Sequence, residues 1–214
     1  MSEAAHAAER GPAVILASSS PRRLELLERL GLDPAVHPSD VEERWHPCER
    51  VEQYVARVAA EKAAAVGDAL RGGPGAIGGA DAIVLGADTE VVLEGAPLGK
   101  PRDAEHARVM LRSLSGRTHQ VISAVSLLLA SGDSVGLLDS AEVTFADLSE
   151  GLLEWYVATG EPRGKAGAYA LQGRGAALVE RLDGDPTTVI GLPLRPTAEL
   201  LSSVGVQLWD RPSS

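Results

Sequence analysis

Cysteine, aromatic residues and net positive charge are what this chain of 214 residues has least of. Its one cysteine, Cys48, rules out an internal disulfide and points to a reducing compartment. Aromatics are 3% of the chain against 44% for all hydrophobic types. A core must then be built from Ala, Val and Leu, which suits an α/β protein better than an all-β one. The formal net charge of -10 argues against a long nucleic-acid backbone as partner. A small polyanion can still be held, but its basic ligands have to be gathered locally against the overall field. No apolar run approaches the roughly 20 residues of a membrane span, and no signal-peptide pattern opens the chain. The expected protein is therefore soluble and cytoplasmic, with no membrane partner. His46 and Cys48 do not make a zinc site, because no second Cys/His pair stands at ligand spacing.

The length suffices for one large domain or two closely packed lobes. Residues 1–12 are small, polar and alanine-rich and read as a frayed leader, residues 13–207 carry the pattern, and 208–214 form a tail. Apolar runs predict strands at Val14–Ala17, Asp33–His37, Ala82–Ala87 continuing to Leu93, His119–Ala130, Val135–Phe145, Ala177–Leu182 and Thr187–Ile190. Helical spacing predicts helices after Pro21, over Val51–Leu70, Asp103–Leu114 and Leu148–Val157, and near Thr197–Val204. A G-x-G-x-x-G at Gly73, Gly75 and Gly78 follows a helix and precedes a strand. That is the reverse of a dinucleotide fingerprint, so Arg71–Ala80 is expected to be a flexible connector.

The organising stretch is Val14 to Leu32, VILASSSPRRLELLERLGL. Ser20 stands where an N-cap is wanted, Pro21 fits the first helical position and Gly31 is a natural stop. Arg22 and Arg23 are out of place there. A helix N-terminus carries positive partial charge, so each cation costs roughly 0.3–1 kcal/mol. An anion on the free N–H groups, the hydroxyls of Ser18 and Ser20 and the two guanidiniums reverses that penalty. The alternative is two solvated arginines on an ordinary strand–turn–helix.

Elsewhere, Asp88-Thr89 closes an apolar strand, where open α/β sheets place their chemistry. Lys62 lies on a helix, and Lys100 is held between Gly99 and Pro101 without P-loop spacing. Glu42 belongs to a carboxylate cluster after a short strand. His119 reads as a structural hydrogen-bonding residue more readily than as a catalyst. Lys165, Tyr169 and Gln172 sit in a glycine-rich loop that backbone must approach closely.

Taken in order, Ser18-Ser19-Ser20-Pro21-Arg22-Arg23-x-Glu25-Leu26-Leu27, Gly86-Ala87-Asp88-Thr89, Leu98-Gly99-Lys100-Pro101, Leu114-Ser115-Gly116 with His119, Lys165-Ala166-Gly167-Ala168-Tyr169 with Gln172-Gly173, and Gly191-Leu192-Pro193-Leu194 resemble the Maf family. These are nucleotide pyrophosphatases first described as septum-formation inhibitors. The resemblance implies a two-lobed mixed-sheet α/β fold related to inosine-triphosphate pyrophosphatases, with a cleft between the lobes. It also implies cleavage of a nucleoside triphosphate to monophosphate and pyrophosphate with a divalent cation, Mg or Mn. Asp88 matches the family's proton acceptor. Glu42, Lys62 and Lys100 match its charged cleft groups, with Glu42 and Asp88 toward the metal, and Ser18, Arg22 and Arg23 match its phosphate-binding turn. Arg22, Thr89 and Gln172 match the branch that takes dTTP and UTP, whereas the 7-methyl-GTP branch has Tyr, Gln and Glu at those positions. The resemblance allows a homodimer.

One departure stands out: Gly164 occupies the place of an Asp common in the family, for which Glu161 is a candidate substitute. Thr89 and Gln172 are expected to read the pyrimidine edge, because an amide donates and accepts at once. A preference for 7-methyl-GTP or ITP, and a non-enzymatic nucleotide-binding regulator of cell division, are the alternatives that a substrate panel separates.

Overall fold

Strand β3 (Ile83–Leu93) is buried on both faces along nearly its whole length, so its sequence reads as an apolar run rather than an alternation. The computed structural model describes residues 12–46, 48–72 and 81–208. The expected leader apart from Pro12, residues 73–80 of the expected connector, and residues 209–214 of the tail lie outside them. Beside β3 run the parallel strands β1 (Val14–Leu16) and, one further out, β2 (Ala35–Val36). On its other side, β5 (Thr118–Leu128) pairs antiparallel with β3, β6 (Ser134–Phe145) with β5, and β7 (Val179–Asp183) with β6. The two-residue β4 (Ala96–Pro97) folds back on β3. The result is one mixed seven-stranded sheet in the order β2-β1-β3-β5-β6-β7.

The helices are α1 (Pro21–Arg29), α2 (Val51–Gly72), α3 (Ala104–Leu114), α4 (Glu150–Ala158), α5 (Pro186–Ile190) and α6 (Leu194–Ser203). Alternation along β3 sorts them by face. Val84 and Val92 pack under α2 with Val66, Val55 and Val58. On the opposite face Leu85 and Ala87 join Leu26 and Leu27 of α1 and Leu201 of α6. Further along the same face, Val91 and Leu93 join Leu111 and Leu114 of α3 and Leu153 and Tyr156 of α4. A fully buried leucine such as Leu85 or Leu111 contributes about 1.5–3 kcal/mol to its cluster. That face therefore carries two separate clusters. Thr89 sits between them on that face, the one polar position between Ala87 and Val91.

Two expectations need correction. Asp33–His37 shrinks to the two paired residues Ala35–Val36. Thr187–Ile190 is not a strand but part of the short helix α5. Its β-branched residues suggest a strand, yet Asp185 accepts from the Thr187 N–H and Pro186 stands in the first turn, and these cap signals decide the conformation.

Candidate active site

β1 stops at Leu16, opposite Leu85, while β3 runs on to Leu93. The chain leaving β1 turns through the serines into α1, and a cavity of about 290 Å³ opens where it departs. Ser18, Ser20, Arg22, Arg23, Lys62, Asp88, Thr89, Lys100 and Gln172 all line it. Glu42 does not; its neighbour Glu43 does.

One wall is cationic. Ser20 is the N-cap of α1, but its side chain makes no cap bond and the first turn holds no acidic residue. Its backbone N–H donates to Ser18 Oγ at 3.2 Å. Arg23 is 9% exposed and donates from Nε to the Gly191 carbonyl (2.9 Å), from Nη1 to Ser18 Oγ (3.2 Å) and from Nη2 to Thr89 Oγ1 (3.1 Å). All three acceptors are neutral, and among the described residues no carboxylate forms an ion pair with it. Burial lowers its proton affinity, and the charges of Asp88 and Glu43 only partly oppose this. Arg22 is likewise lowered, by burial and then by Arg23. Lys165, a cleft residue without an ion-pair partner among the described residues, is lowered by burial and by Arg22. A buried cation such as Arg23 is costly without a counter-ion, and with the half-buried Arg22 and Lys165 beside it this wall suits an incoming anion.

The facing wall carries paired charges. A Cβ at Gly86 would lie 2.1 Å from the Ala59 carbonyl oxygen, so only glycine lets α2 approach β3 this closely. That approach brings Lys62 Nζ to 2.7 Å from Asp88 Oδ1 and 2.6 Å from Glu43 Oε1. Lys100 pairs with the other Glu43 oxygen. Burial works against the charged form of Glu43, but hydrogen bonds from Lys100 and Lys62, with their charges, outweigh it and hold the carboxyl at about 2. Arg57 straps the segment beside Glu43 onto α2, donating to both Glu49 carboxylate oxygens and to the Arg44 carbonyl. Asp88 Oδ2 is buried and has no hydrogen-bond partner among the described residues. Glu90, next on the same face, is pushed up to about 7 by burial and by the Asp88 charge, against the Gly99 N–H and Lys100.

The floor is a set of hydroxyls. Ser123 Oγ donates to the Thr188 carbonyl at 2.7 Å, so it accepts from Thr89 Oγ1 at 2.8 Å. Thr89 then accepts from Arg23, and its proton is spent. This makes Thr89 a prop for the guanidinium more than a reader of a base. Gln172, by contrast, is exposed on the cleft wall and free to meet a ligand. His119 is 3% exposed, bonds Tyr169 through Nε2 at 2.9 Å and packs edge-on against Phe145 and Tyr169; it lies in the core, outside the lining. Gly164 lines the cleft at φ +69 with open space where a Cβ would be. Glu161 is not among the lining residues, and its oxygens accept from Tyr156, Arg174 and Gly175. Glu43 and Lys165 are the charged lining residues to which the sequence assigned no role at the site. Lys165 already stood out in its loop of small residues, whereas no periodicity distinguishes Glu43 from Glu42.

The family profile described as "Maf-like protein" matches residues 13–204. A protein of Anaeromyxobacter dehalogenans named dTTP/UTP pyrophosphatase is 49% identical over 205 residues, 94% of this chain and 99% of its own length. One of Xylella fastidiosa named nucleoside triphosphate pyrophosphatase is 49% identical over 192 residues, 88% of this chain and 96% of its own. The solved structure of a nucleoside-triphosphatase / dITP/XTP pyrophosphatase from Mycobacterium abscessus matches with a TM-score of 0.45 at 15% identity, over 90% of this chain and 94% of that one.

Proposed function

Since the chain belongs to the Maf-like family, we propose that it hydrolyses dTTP and UTP to the monophosphate and pyrophosphate. The observation that carries this reading is the presence in one cleft of Arg23, a buried guanidinium with only neutral hydrogen-bond partners, and Asp88, whose buried Oδ2 has none among the described residues. The first asks for an anion and the second for a proton or a cation.

Cleavage between the α- and β-phosphates needs an attacking water, a base for its proton and neutralisation of the charge on the departing pyrophosphate. Arg23 supplies the fixed anchor, with Arg22, Lys165 and the hydroxyls of Ser18 and Ser20 completing the cationic wall. Asp88 takes the water's proton at Oδ2 while Lys62 holds Oδ1. Lys62 and Lys100 offset the charge that builds on the leaving group. Gln172 meets the pyrimidine edge, and Thr89 keeps Arg23 aimed.

The unpartnered Asp88 Oδ2 fits either a divalent cation or the proton of a water that such a cation would carry, and Glu43 would reach the ion by giving up one of its two lysine partners. No cluster of three or more His, Cys, Asp or Glu suited to a metal occurs among the described residues, so phosphate and water oxygens would complete the shell, as is usual for Mg. When bound, the ion supplies charge neutralisation and a more acidic water. The free, exposed Cys48 is consistent with action in the cytoplasm. Among the described residues no helix is long and apolar enough to cross a membrane.

The test is pyrophosphate release from UTP, dTTP, CTP, 7-methyl-GTP and ITP, with and without Mg or Mn. Metal-dependent turnover of UTP and dTTP that disappears in Asp88→Asn supports the reading. UTP binding without pyrophosphate release would overturn it in favour of a nucleotide-binding regulator.

A further inference from the structure

Glu161 does not line the cleft, yet its carboxylate accepts three hydrogen bonds, two of them from one short turn. Oε2 accepts from the Arg174 N–H at 3.0 Å, and Oε1 accepts from the Gly175 N–H at 2.9 Å and from the Tyr156 hydroxyl at 2.9 Å. Tyr156 is fully buried, and its oxygen in turn accepts from the Ala170 N–H at 3.1 Å. The Tyr156–Glu161 pair therefore grips the chain at 170 and again at 174–175. Leu171 and Gln172, the residues between, line the cavity.

The backbone is wound directly onto this carboxylate. A Cβ at Gly173 would lie 2.3 Å from Glu161 Oε2, and one at Gly175 would lie 2.8 Å from the Tyr156 hydroxyl. Both glycines are thus required by the grip. The three donors, with the Arg174 charge, outweigh the cost of burial and hold Glu161 ionised below the ordinary carboxylate range.

We propose that Glu161 is a positioning residue for base recognition, setting the height and angle at which the turn presents Gln172 to the nucleotide. The inference rests on the reading that Gln172 meets the base. A glutamine at 161 keeps the shape but turns an NH₂ toward donors, so at least one bond of the grip is lost. It also removes a negative charge that acts on Arg22 and Lys165. The two ends of the nucleotide should then respond oppositely, with the base losing its contact and the phosphates meeting a more positive wall.

The test is calorimetric binding of uridine monophosphate and of inorganic pyrophosphate to the wild type, Glu161→Gln, Gln172→Ala and the double variant. Glu161→Gln is expected to weaken uridine monophosphate about 10-fold, the scale of one lost charge-assisted hydrogen bond. Pyrophosphate should bind as well as before or more tightly. In the Gln172→Ala background the same change should move uridine monophosphate by less than about 2-fold, because coupled residues are non-additive. KM for UTP should rise in parallel, with the loss falling on KM more than on kcat.

Three results overturn the proposal: wild-type uridine monophosphate binding by Glu161→Gln, equal weakening of both ligands, or a full loss repeated in the double variant. If Glu161→Gln does not fold, Tyr156→Phe removes the grip at Ala170 and its bond to Glu161, with an expected weakening of about 3-fold for the monophosphate alone. Equal weakening of both ligands, or none, in that variant overturns the proposal as well. Wild-type binding of uridine monophosphate by Gln172→Ala would remove the base-reading role of Gln172 and the proposal with it. Failure of the wild type to turn over UTP would count against the pyrophosphatase reading alone, since both binding arms are independent of turnover.

Discussion

Lys62 and Asp88 form a buried ion pair, Nζ to Oδ1 at 2.7 Å, with each side chain 7% exposed. The pair is asymmetric. Lys62 has a second carboxylate in Glu43, whereas among the described residues Asp88 has no other cation within ion-pair distance and one oxygen without a partner. Removing the lysine therefore leaves a buried carboxylate stranded, while neutralising the aspartate leaves the lysine paired. Lys62→Met should cost about 3–5 kcal/mol, the usual scale for breaking a buried pair from one side. Asp88→Asn should cost clearly less and keep UTP binding while abolishing turnover. Urea unfolding of the two variants gives the order, and equal losses would refute the asymmetry.

Arg23 makes a different kind of prediction, because its partners are neutral. A buried cation without a counter-ion is costly in the free protein and is relieved when an anion arrives. Pyrophosphate should accordingly stabilise the wild type, by about 2.7 kcal/mol at a hundred times its dissociation constant. Arg23→Met should lose most of that ligand-induced gain in Tm. A variant that keeps the full rise would place the anion site elsewhere.

Several of these features were legible in the chain before any coordinates. Asp88 and Thr89 stand out as polar residues at what reads as the end of an apolar strand, although β3 runs through them to Leu93. Arg22 and Arg23 stand out because they oppose the field of a helix start. What escaped had no local pattern. Glu43 is fixed by Lys62, from another element, and by Lys100, from a loop far along the chain. Glu161 acts through bonds to residues 174 and 175, which spacing cannot foresee. The helix at Pro186–Ile190 was disguised by threonine, valine and isoleucine, although Asp185-Pro186 already carried its cap.

His119 sets a pH dependence of stability. Burial lowers its proton affinity to about 4, from 6.5 in an unfolded chain, and its Nδ1 has no partner among the described residues. The unfolded chain therefore binds a proton that the folded one refuses. The contribution is intact above about pH 6.5 and is lost as pH falls toward 4. Between pH 7 and pH 5 the loss should be about 2 kcal/mol. His119→Phe gives up the bond to Tyr169 but has nothing to protonate, so its stability should fall less over that interval. Denaturant midpoints at the two pH values measure the difference, and parallel slopes for both proteins would exclude His119 as the source.

Glu42 and Glu43 are adjacent in an irregular segment, and the structure separates them. Both are exposed residues, but the Glu43 side chain accepts from both Lys62 and Lys100 and lines the cleft. Glu42 is exposed, and among the described residues its side chain has no ion-pair or hydrogen-bond partner. The resemblance to the family pointed to Glu42, but the physical demands of the site are met one residue later. Glu43→Gln should lower kcat for UTP by about 100-fold, because it removes a charge that balances two lysines and would help hold the cation. It should also raise the Mg concentration needed for half-maximal rate. Glu42→Gln should stay within about 2-fold of the wild type, the range expected of an unpaired surface side chain. Steady-state rates across a Mg titration decide between them, and a larger loss at Glu42 than at Glu43 would return the role to the residue first expected.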